Sequence, residues 1–264
     1  MGQAGLLAGK RALILGVAND HSIAWGIAKA FAAHGAELAF TYQGEGFGRR
    51  VVPLAESLGA AIIQPADVQD EASLDALFAR IGSEWGRLDV LVHAIAYSEK
   101  AELDGRFLDT SRANFTRSLE ISCYSLVDLT RRAAPLMTNG GSVLTLTYIG
   151  AQRVTPHYNV MGVAKAALES AVRYLANDRG PEGIRVNAIS PGPMRTLAGA
   201  AIAGARKVYH ATERNAPLRA NATLEAVGGT AVYLASDLGA CTSGEVIFVD
   251  GGFHVLGMAQ PENL

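Results

Sequence analysis

The chain has 264 residues, 49% of them hydrophobic, which is enough to bury a full core in a single α/β domain. Its formal charge of −2, with Lys and Arg scattered along the chain, provides no basic field and excludes nucleic acid as an expected partner. Cys123 and Cys241 are too few for a disulfide framework and lack metal-ligand spacing, so both are expected to be reduced packing residues.

The N-terminal MGQAGLLAGK has neither a basic leader before an apolar core nor a myristoylation signal, and reads as a mature, cytoplasmic start. The uncharged run from Ala133 to Gln152 contains Pro, Gly, Ser, Thr and Asn, so no membrane span is expected. No repeat or linker divides the chain. One unit over residues 1–264 is expected, with a core from about residue 7 to 257 and a tail over 258–264.

Arg11 to Gly16 reads as an apolar strand, followed by a helix from Ser22 to His34 with Ile23, Ile27, Ala30 and Phe31 on one side. Ala36 to Tyr42 is a second strand, Arg49 to Leu58 a second helix and Ala60 to Gln64 a third strand. Asp70 to Trp85 is helical, with Leu74, Leu77, Phe78 and Ile81 at three- and four-residue steps. Leu88 to His93 is the fourth strand, a long helix is expected over Ser111 to Leu136, and Ser142 to Thr147 is the fifth strand. A helix to about Asn177 precedes the sixth strand, Ile184 to Ile189. The Ala- and Gly-rich stretch from Ala198 to His210 reads as a weak helix, and a helix over Leu224 to Leu234 leads to the seventh strand, Glu245 to Val249. Strands that alternate with helices, several apolar on both faces, predict a Rossmann-type doubly wound parallel sheet of about seven strands with helices on both sides. Ligands then belong at the carboxyl ends of the strands, where the Gly-rich turns fall.

The first of these turns runs from Gly16 to Gly26. Gly16 allows a sharp turn close to a ligand, while Ser22, Ile23 and the helix N-terminus offer a hydroxyl and free amides to a pyrophosphate. The pattern is not G-x-G-x-x-G, and a plain βα turn is the alternative. After the second strand stands Gln43, where a dinucleotide site would place an acid. A neutral amide can bond adenosine hydroxyls, whereas a 2′-phosphate calls for a cation, so NADH is expected over NADPH, with Arg49 and Arg50 keeping the second choice open. Asp67 and Val68 can bond and pack the adenine, although Asp67 also reads as a helix N-cap. Small residues in H-A-I-A-Y-S, from His93 to Ser98, would admit a nicotinamide ribose, with Ile95 as the contact. The six histidines form no ligand pair, and no metal is expected.

From Thr147 to Lys165 the chain carries Tyr148, Tyr158 and a lysine. Thr155 as cap and Pro156 in the first turn place a helix start just before Tyr158. Lys165, seven residues on, then lies about 20° from Tyr158 around the helix, near enough for its cation to make a phenol acidic.

The turns in this order resemble the short-chain dehydrogenase/reductase superfamily. More narrowly, GVAxxxSIAxG, FTYQ, LTYIG, YNVMGVAK, GPEGIRVNAISPGPMRTLA and VDGGF resemble the bacterial enoyl-acyl-carrier-protein reductases of type II fatty-acid synthesis, over about Leu7 to Gly257. Those enzymes typically have Tyr-x6-Lys, as here, where the superfamily usually has Tyr-x3-Lys. The resemblance implies that Tyr158 is the catalytic tyrosine, Tyr148 the second active-site tyrosine and Lys165 the ligand of the nicotinamide ribose. It also implies that Met194, Thr196, Leu197 and Ala198 close over the nicotinamide and phosphates, and that Ser98 faces the substrate. Hydride would pass from NADH to the β-carbon of an enoyl thioester, Tyr158 holding the enolate oxygen, with the α-carbon proton coming from Tyr158 or from water. The 197–209 segment could act as a lid. An enoyl-acyl-carrier-protein substrate and a homotetramer are implied partners. A ketoacyl reductase, with Thr147 in place of the usual serine, and a non-catalytic NAD-binding scaffold are the alternatives.

Overall fold

The computed structural model describes residues 5–200 and 204–263, without the side chains of residues 198 and 200. The first half of the chain gives β1 (Arg11–Leu15), α1 (Ile23–Ala33), β2 (Glu37–Tyr42), α2 (Gly44–Ser57), β3 (Ile62–Pro65), α3 (Glu71–Trp85) and β4 (Val90–His93). A short α4 (Lys100–Leu103) leads to α5 (Arg112–Leu119) and α6 (Ser125–Ala133), followed by β5 (Gly141–Leu146) and α7 (Asn159–Arg179). The chain then forms β6 (Ile184–Pro191), α8 (Leu197–Ala200), α9 (Ala205–Asn215), α10 (Leu224–Ala235) and β7 (Val246–Val249).

All seven strands join one sheet in the order β3-β2-β1-β4-β5-β6-β7, and each pairing is parallel. The chain runs outward from β1 through β2 to β3, then restarts on the other side with β4. That reversal sends the connections after β1 and β4 to opposite faces of the sheet and opens a crevice at their carboxyl ends.

Alternation along the strands divides the core between two faces. Leu13, Leu15, Leu91, Val143 and Val186 point toward α3, α6 and α7. Ala12, Ile14, Phe40, Val92, Leu144 and Ile189 point toward α1, α2 and α10. Buried on both sides, β1 and β4 are mostly apolar, with Ala12–Leu15 and Val90–Val92 as continuous hydrophobic runs, while β5 carries buried Ser142 and Thr145 among its apolar residues. On the second face α1 and α10 touch almost backbone to backbone. A Cβ on Gly228 would lie 2.8 Å from the Ala30 Cβ and 3.0 Å from the Gly26 carbonyl oxygen.

Three boundaries differ from the sequence reading for local reasons. Asp70 precedes α3 rather than beginning it, because its carboxylate accepts the amides of Ala72 and Ser73, at 3.0 and 3.3 Å, as an N-cap. The expected helix over 111–136 is present but interrupted by a π turn at Glu120–Tyr124 and ends in a 3₁₀ turn at Ala134–Leu136. The weak helix expected over Ala198 to His210 is two helices, α8 and α9, with residues 201–203 outside the described residues. Cys241 is exposed, which corrects its reading as a packing residue, while Cys123 is half-buried. The 258–264 tail is pinned as far as it is described: the Gln260 amide donates to Asn215 Oδ1 at 2.8 Å, and Arg219 pairs with Glu262 at 2.9 Å.

The α1–α10 contact leaves no volume for a larger side chain at its centre. Gly228→Val should destabilise the fold by about 1–3 kcal/mol through overpacking. Thermal denaturation should show a melting temperature several degrees lower, about 2–4 °C for each kcal/mol in a chain of this size.

Candidate active site

At the end of β1, Gly16 adopts φ +97°, and a Cβ there would sit 2.0 Å from the carbonyl oxygen of Ala94 after β4. Only glycine brings the two turns this close. Ser22 differs from the sequence reading. Its buried hydroxyl accepts the amides of Ala18 and Asn19, at 2.9 and 3.0 Å, and donates to Asn19 Oδ1 at 3.2 Å, so it shapes the turn from within. Ile23 and the start of α1 still line the crevice. Beyond β2, Gln43 Nε2 donates to Asp67 Oδ2 at 2.8 Å, joining two residues that were proposed separately for the adenosine. Asp67 is not the cap of α3; its second oxygen accepts the amide of Gln69 at 3.0 Å. Val68 packs against the α3-side core. Of the two arginines, Arg49 lies 3.7 Å from exposed Glu45 and Arg50 lies over the Phe47 ring.

The crevice widens into a cleft of about 870 Å³ between the ends of β1, β4, β5 and β6. Tyr148 leaves β5 and Tyr158 immediately precedes α7, with ring centroids 5.0 Å apart and planes at 65°. Thr155 does not cap α7. The chain turns once more, the Tyr158 amide donating to the Thr155 carbonyl at 3.2 Å, and the helix begins at Asn159. Left-handed backbone at His157 (φ 59°) and Asn159 (φ 38°) brackets Tyr158. Such geometry at non-glycine residues costs energy unless its surroundings fix it. Asn159 Nδ2 supplies that fixing, facing the carbonyls of Glu102, Leu103 and Gly105 at 3.2–3.3 Å. The Tyr158 ring rests on the backbone of Gly150: a Cβ there would lie 2.4 Å from its Cδ1 and 2.8 Å from its Cε1.

Lys165 is buried and donates from Nζ to the Leu146 carbonyl at 2.7 Å. Burial pulls its pKa down to about 8. The same burial pushes the Tyr158 phenol up, with Tyr148 and Glu169 adding to the rise, and burial also raises Tyr148. The expectation that Lys165 makes a phenol acidic is therefore corrected. Both tyrosines are neutral near pH 7 and act as hydrogen-bond donors.

The β4 wall is held from the π turn. Ser122 accepts the Tyr97 amide at 3.0 Å and donates to the Tyr97 carbonyl at 3.2 Å, while Ser125 lies 2.7 Å from His93 Nε2. His93 is fully buried, its Nδ1 2.8 Å from Thr145 Oγ1, and burial drives its pKa down to about 3, so it is a neutral structural residue. Ile95 and Ser98 line the cleft, Ser98 also exchanging hydrogen bonds with buried Asn114 at 3.2–3.3 Å. On the far side stand Met194, Thr196 and Leu197. Thr196 Oγ1 accepts the Gly199 amide at 3.0 Å. Ala198 lies in α8, its side chain outside the described residues.

The structure thus brings Gly16, Ser22, Ile23, Ile95, Ser98, Tyr148, Tyr158, Lys165, Met194, Thr196 and Leu197 to one cleft. Gln43, Asp67 and Val68 lie apart from its lining, at the ends of β2 and β3. Sequence reasoning missed Gly150, Ser122 and Asn114. Gly150 stands beside Tyr148 and could have been singled out as the small residue between two aromatic ones. The serines carry no pattern that distinguishes them from other helical serines. Among the described residues no group of three metal-capable side chains converges. Gly150→Ala should move the Tyr158 ring by about 1 Å, a displacement that can cost on the order of 100-fold in turnover. Steady-state kcat, with circular dichroism to confirm an intact fold, checks this.

The family described as enoyl-(acyl carrier protein) reductase matches residues 16–254. The chain is 56% identical over 260 residues to the enoyl-acyl-carrier-protein reductase (NADH) 2 of Rhizobium meliloti (strain 1021), covering 98% of this chain and 97% of that protein. It is 51% identical over 253 residues to the NADH enoyl-acyl-carrier-protein reductase FabI of Rickettsia bellii (strain RML369-C), covering 96% of this chain and 97% of the other. Among solved structures, the Anaplasma phagocytophilum enoyl-(acyl-carrier-protein) reductase in complex with NAD superposes with a TM-score of 0.95 at 56% identity, over 98% of this chain and 99% of that one. With the order of the strands, the two tyrosines and the buried lysine in place, these likenesses show that the chain belongs to the enoyl-(acyl carrier protein) reductase family.

Proposed function

We propose that the protein is an NADH-dependent enoyl-acyl-carrier-protein reductase that reduces the trans-2 double bond of enoyl thioesters, with Tyr158, Tyr148 and Lys165 as its catalytic residues. The observation that carries the assignment of roles is the Tyr148–Tyr158 pair, 5.0 Å between centroids, opening onto the cleft that also holds buried Lys165. The cleft suits a dinucleotide: Gly16 turns the chain sharply at the end of β1, the start of α1 lines the crevice, and Gln43 with Asp67 offers hydrogen-bonding groups at the ends of β2 and β3.

Bound NADH supplies the hydride for the β-carbon. Lys165 lines the same cleft as Tyr158, where its ammonium can bind ribose hydroxyls once it turns from the Leu146 carbonyl. Tyr158 donates a hydrogen bond to the thioester oxygen as enolate charge develops; the burial that keeps its phenol neutral keeps that donor in place. Tyr148 packs edge-on against Tyr158 and limits how the acyl group can lie. Leu103 and Met161, with Tyr148 and Tyr158, give the cleft an apolar wall suited to an acyl chain. Met194, Thr196, Leu197 and Ala198 would close over the nicotinamide. Ser98 would border the substrate, and the segment over 197–209 would serve as a lid.

The ketoacyl-reductase alternative needs a hydroxyl aimed at a ketone. Thr147 is spent instead on a 2.8 Å bond to Glu169, which disfavours that reading. A homotetramer with α7 at an interface is part of the proposal, and Tyr174 is exposed on that helix. One dinucleotide-binding and catalytic unit over 1–264, working in the cytoplasm, completes the proposal; no described helix is long and apolar enough to cross a membrane.

Purified protein should turn over crotonyl and longer enoyl thioesters with NADH, and turnover of ketoacyl thioesters alone would refute the assignment. Tyr158→Phe should lower kcat by on the order of 100-fold, the typical cost of one lost oxyanion donor, while fluorescence titration shows NADH still bound. Lys165→Ala should weaken NADH binding itself.

Burial sets a pH dependence. The folded pKa of Lys165, about 8, lies below the ordinary 10.5, so between these values the unfolded chain holds the proton more often and stability rises with pH. If binding needs the charged lysine, NADH affinity changes the other way. It should weaken above pH 8 by up to about tenfold per unit, as measured by titration across pH 6.5–9.5, and a flat profile would remove that role.

A further inference from the structure

We infer that Glu169 is a positioning residue of the two-tyrosine site, its single buried carboxylate holding both ends of the Thr147–Gln152 turn on which Tyr148 and Tyr158 are seated. Glu169 lies one helical turn beyond Lys165 on α7 and is buried to 5% exposure. One carboxylate oxygen accepts the Thr147 hydroxyl at 2.8 Å and the other accepts Gln152 Nε2 at 3.0 Å. Thr147 immediately precedes Tyr148, and Gln152 immediately follows the 3₁₀ turn Ile149–Ala151. Between those two anchors lies Gly150, the residue that touches the Tyr158 ring and approaches Tyr148 Cδ1. The turn meets α7 a second time at Gly162, where a Cβ would lie 2.8 Å from the Gly150 carbonyl oxygen.

A carboxylate withdrawn from water is unfavourable unless its oxygens are bonded, and an apolar side chain in the same place would carry no such penalty. The two bonds at Glu169 both go to the turn under the tyrosines. Glu169 itself does not line the cleft and does not touch the reacting atoms. Beside the charge that adds to the rise of the Tyr158 phenol, its effect on the turn is mechanical. With both ends of the turn fixed to α7, the helix that carries Lys165, the Tyr148 ring, the Tyr158 ring and the lysine hold one relative placement. Released at either end, the turn can lift from α7, and Gly150 no longer sets the ring of Tyr158.

The inference rests on the assignment of Tyr158 and Tyr148 as catalytic, and the variants below separate the two. Glu169→Leu fills the space but makes neither bond. Glu169→Gln keeps the Thr147 bond and, after the Gln152 amide rotates to present its oxygen, keeps the second as well. In the full chain, Glu169→Leu should lower kcat for an enoyl thioester by about tenfold or more, with the Kd for NADH at pH 7 changed by less than about threefold. Glu169→Gln should recover kcat to within about threefold of the parent protein. Gln152→Leu removes one bond from an exposed position and leaves the Thr147 bond in place; it should lower kcat by about threefold or more with a smaller fall in melting temperature than Glu169→Leu, which keeps the test informative if Glu169→Leu does not fold. A folded Glu169→Leu or Gln152→Leu protein with parental kcat would overturn the inference. So would a Glu169→Gln protein as slow as Glu169→Leu, because the bonds would then not be what matters. Parental turnover in Tyr158→Phe would instead refute the underlying catalytic assignment, whatever the Glu169 variants do.

Discussion

The site depends on one steric fact, the contact of the Tyr158 ring with a backbone that has no side chain at Gly150. A parallel sheet sends its chain away from β5 into α7, so residues on the two elements meet only if the connection doubles back tightly. Gly150 permits that approach, and the left-handed turns at His157 and Asn159 direct Tyr158 into it. Asn159 binds the same connection to carbonyls in the last turn of α4 and just beyond it, so the wall built from β4 and the tyrosine pair built from β5 are one assembly.

Electrostatics follows from the same packing. Lys165 is held in the cleft by its bond to the Leu146 carbonyl, and removal from water lowers its affinity for a proton by about 3 kcal/mol, at 1.36 kcal/mol per pKa unit. The phenols move the opposite way for the same reason, since burial always disfavours the charged form. Lysine and tyrosines thus line one cleft with both phenols neutral. A ligand that brings hydroxyls to Lys165 would replace the single carbonyl now facing it and restore solvation that folding took away.

The architecture was largely legible from the sequence because two periodicities dominate it. Apolar runs such as Leu13 to Leu15 and Leu91 to His93 announced buried parallel strands, and Leu74, Leu77, Phe78 and Ile81 announced the helix packed on them. Gly16, Tyr148 and Tyr158 were legible because each follows a strand or precedes a helix, where chemistry has to be, and Lys165 by its seven-residue spacing from Tyr158 along α7. The part Ser22 has in shaping its own turn was not legible, since an exposed hydroxyl and one turned back on its own turn have the same sequence. The start of α7 was misplaced because Thr155 and Pro156 form a good local cap, and the contact with Gly150 overrides that preference from outside the segment. No local rule could show that Lys165 would prefer a carbonyl to a phenol.

The π turn at Glu120–Tyr124 bears on how this protein can change. An α-helix advances about 100° per residue, so the extra residue in the turn sets the faces of α5 and α6 out of step by roughly that angle. In that register Asn114 reaches Ser98 while Ser122 and Ser125 reach Tyr97 and His93. Loss of one residue there would yield a more regular helix and would swing Asn114 off the loop it secures. A shorter chain would be the better helix and the worse wall, so length at this point is under tighter constraint than the identity of most residues around it.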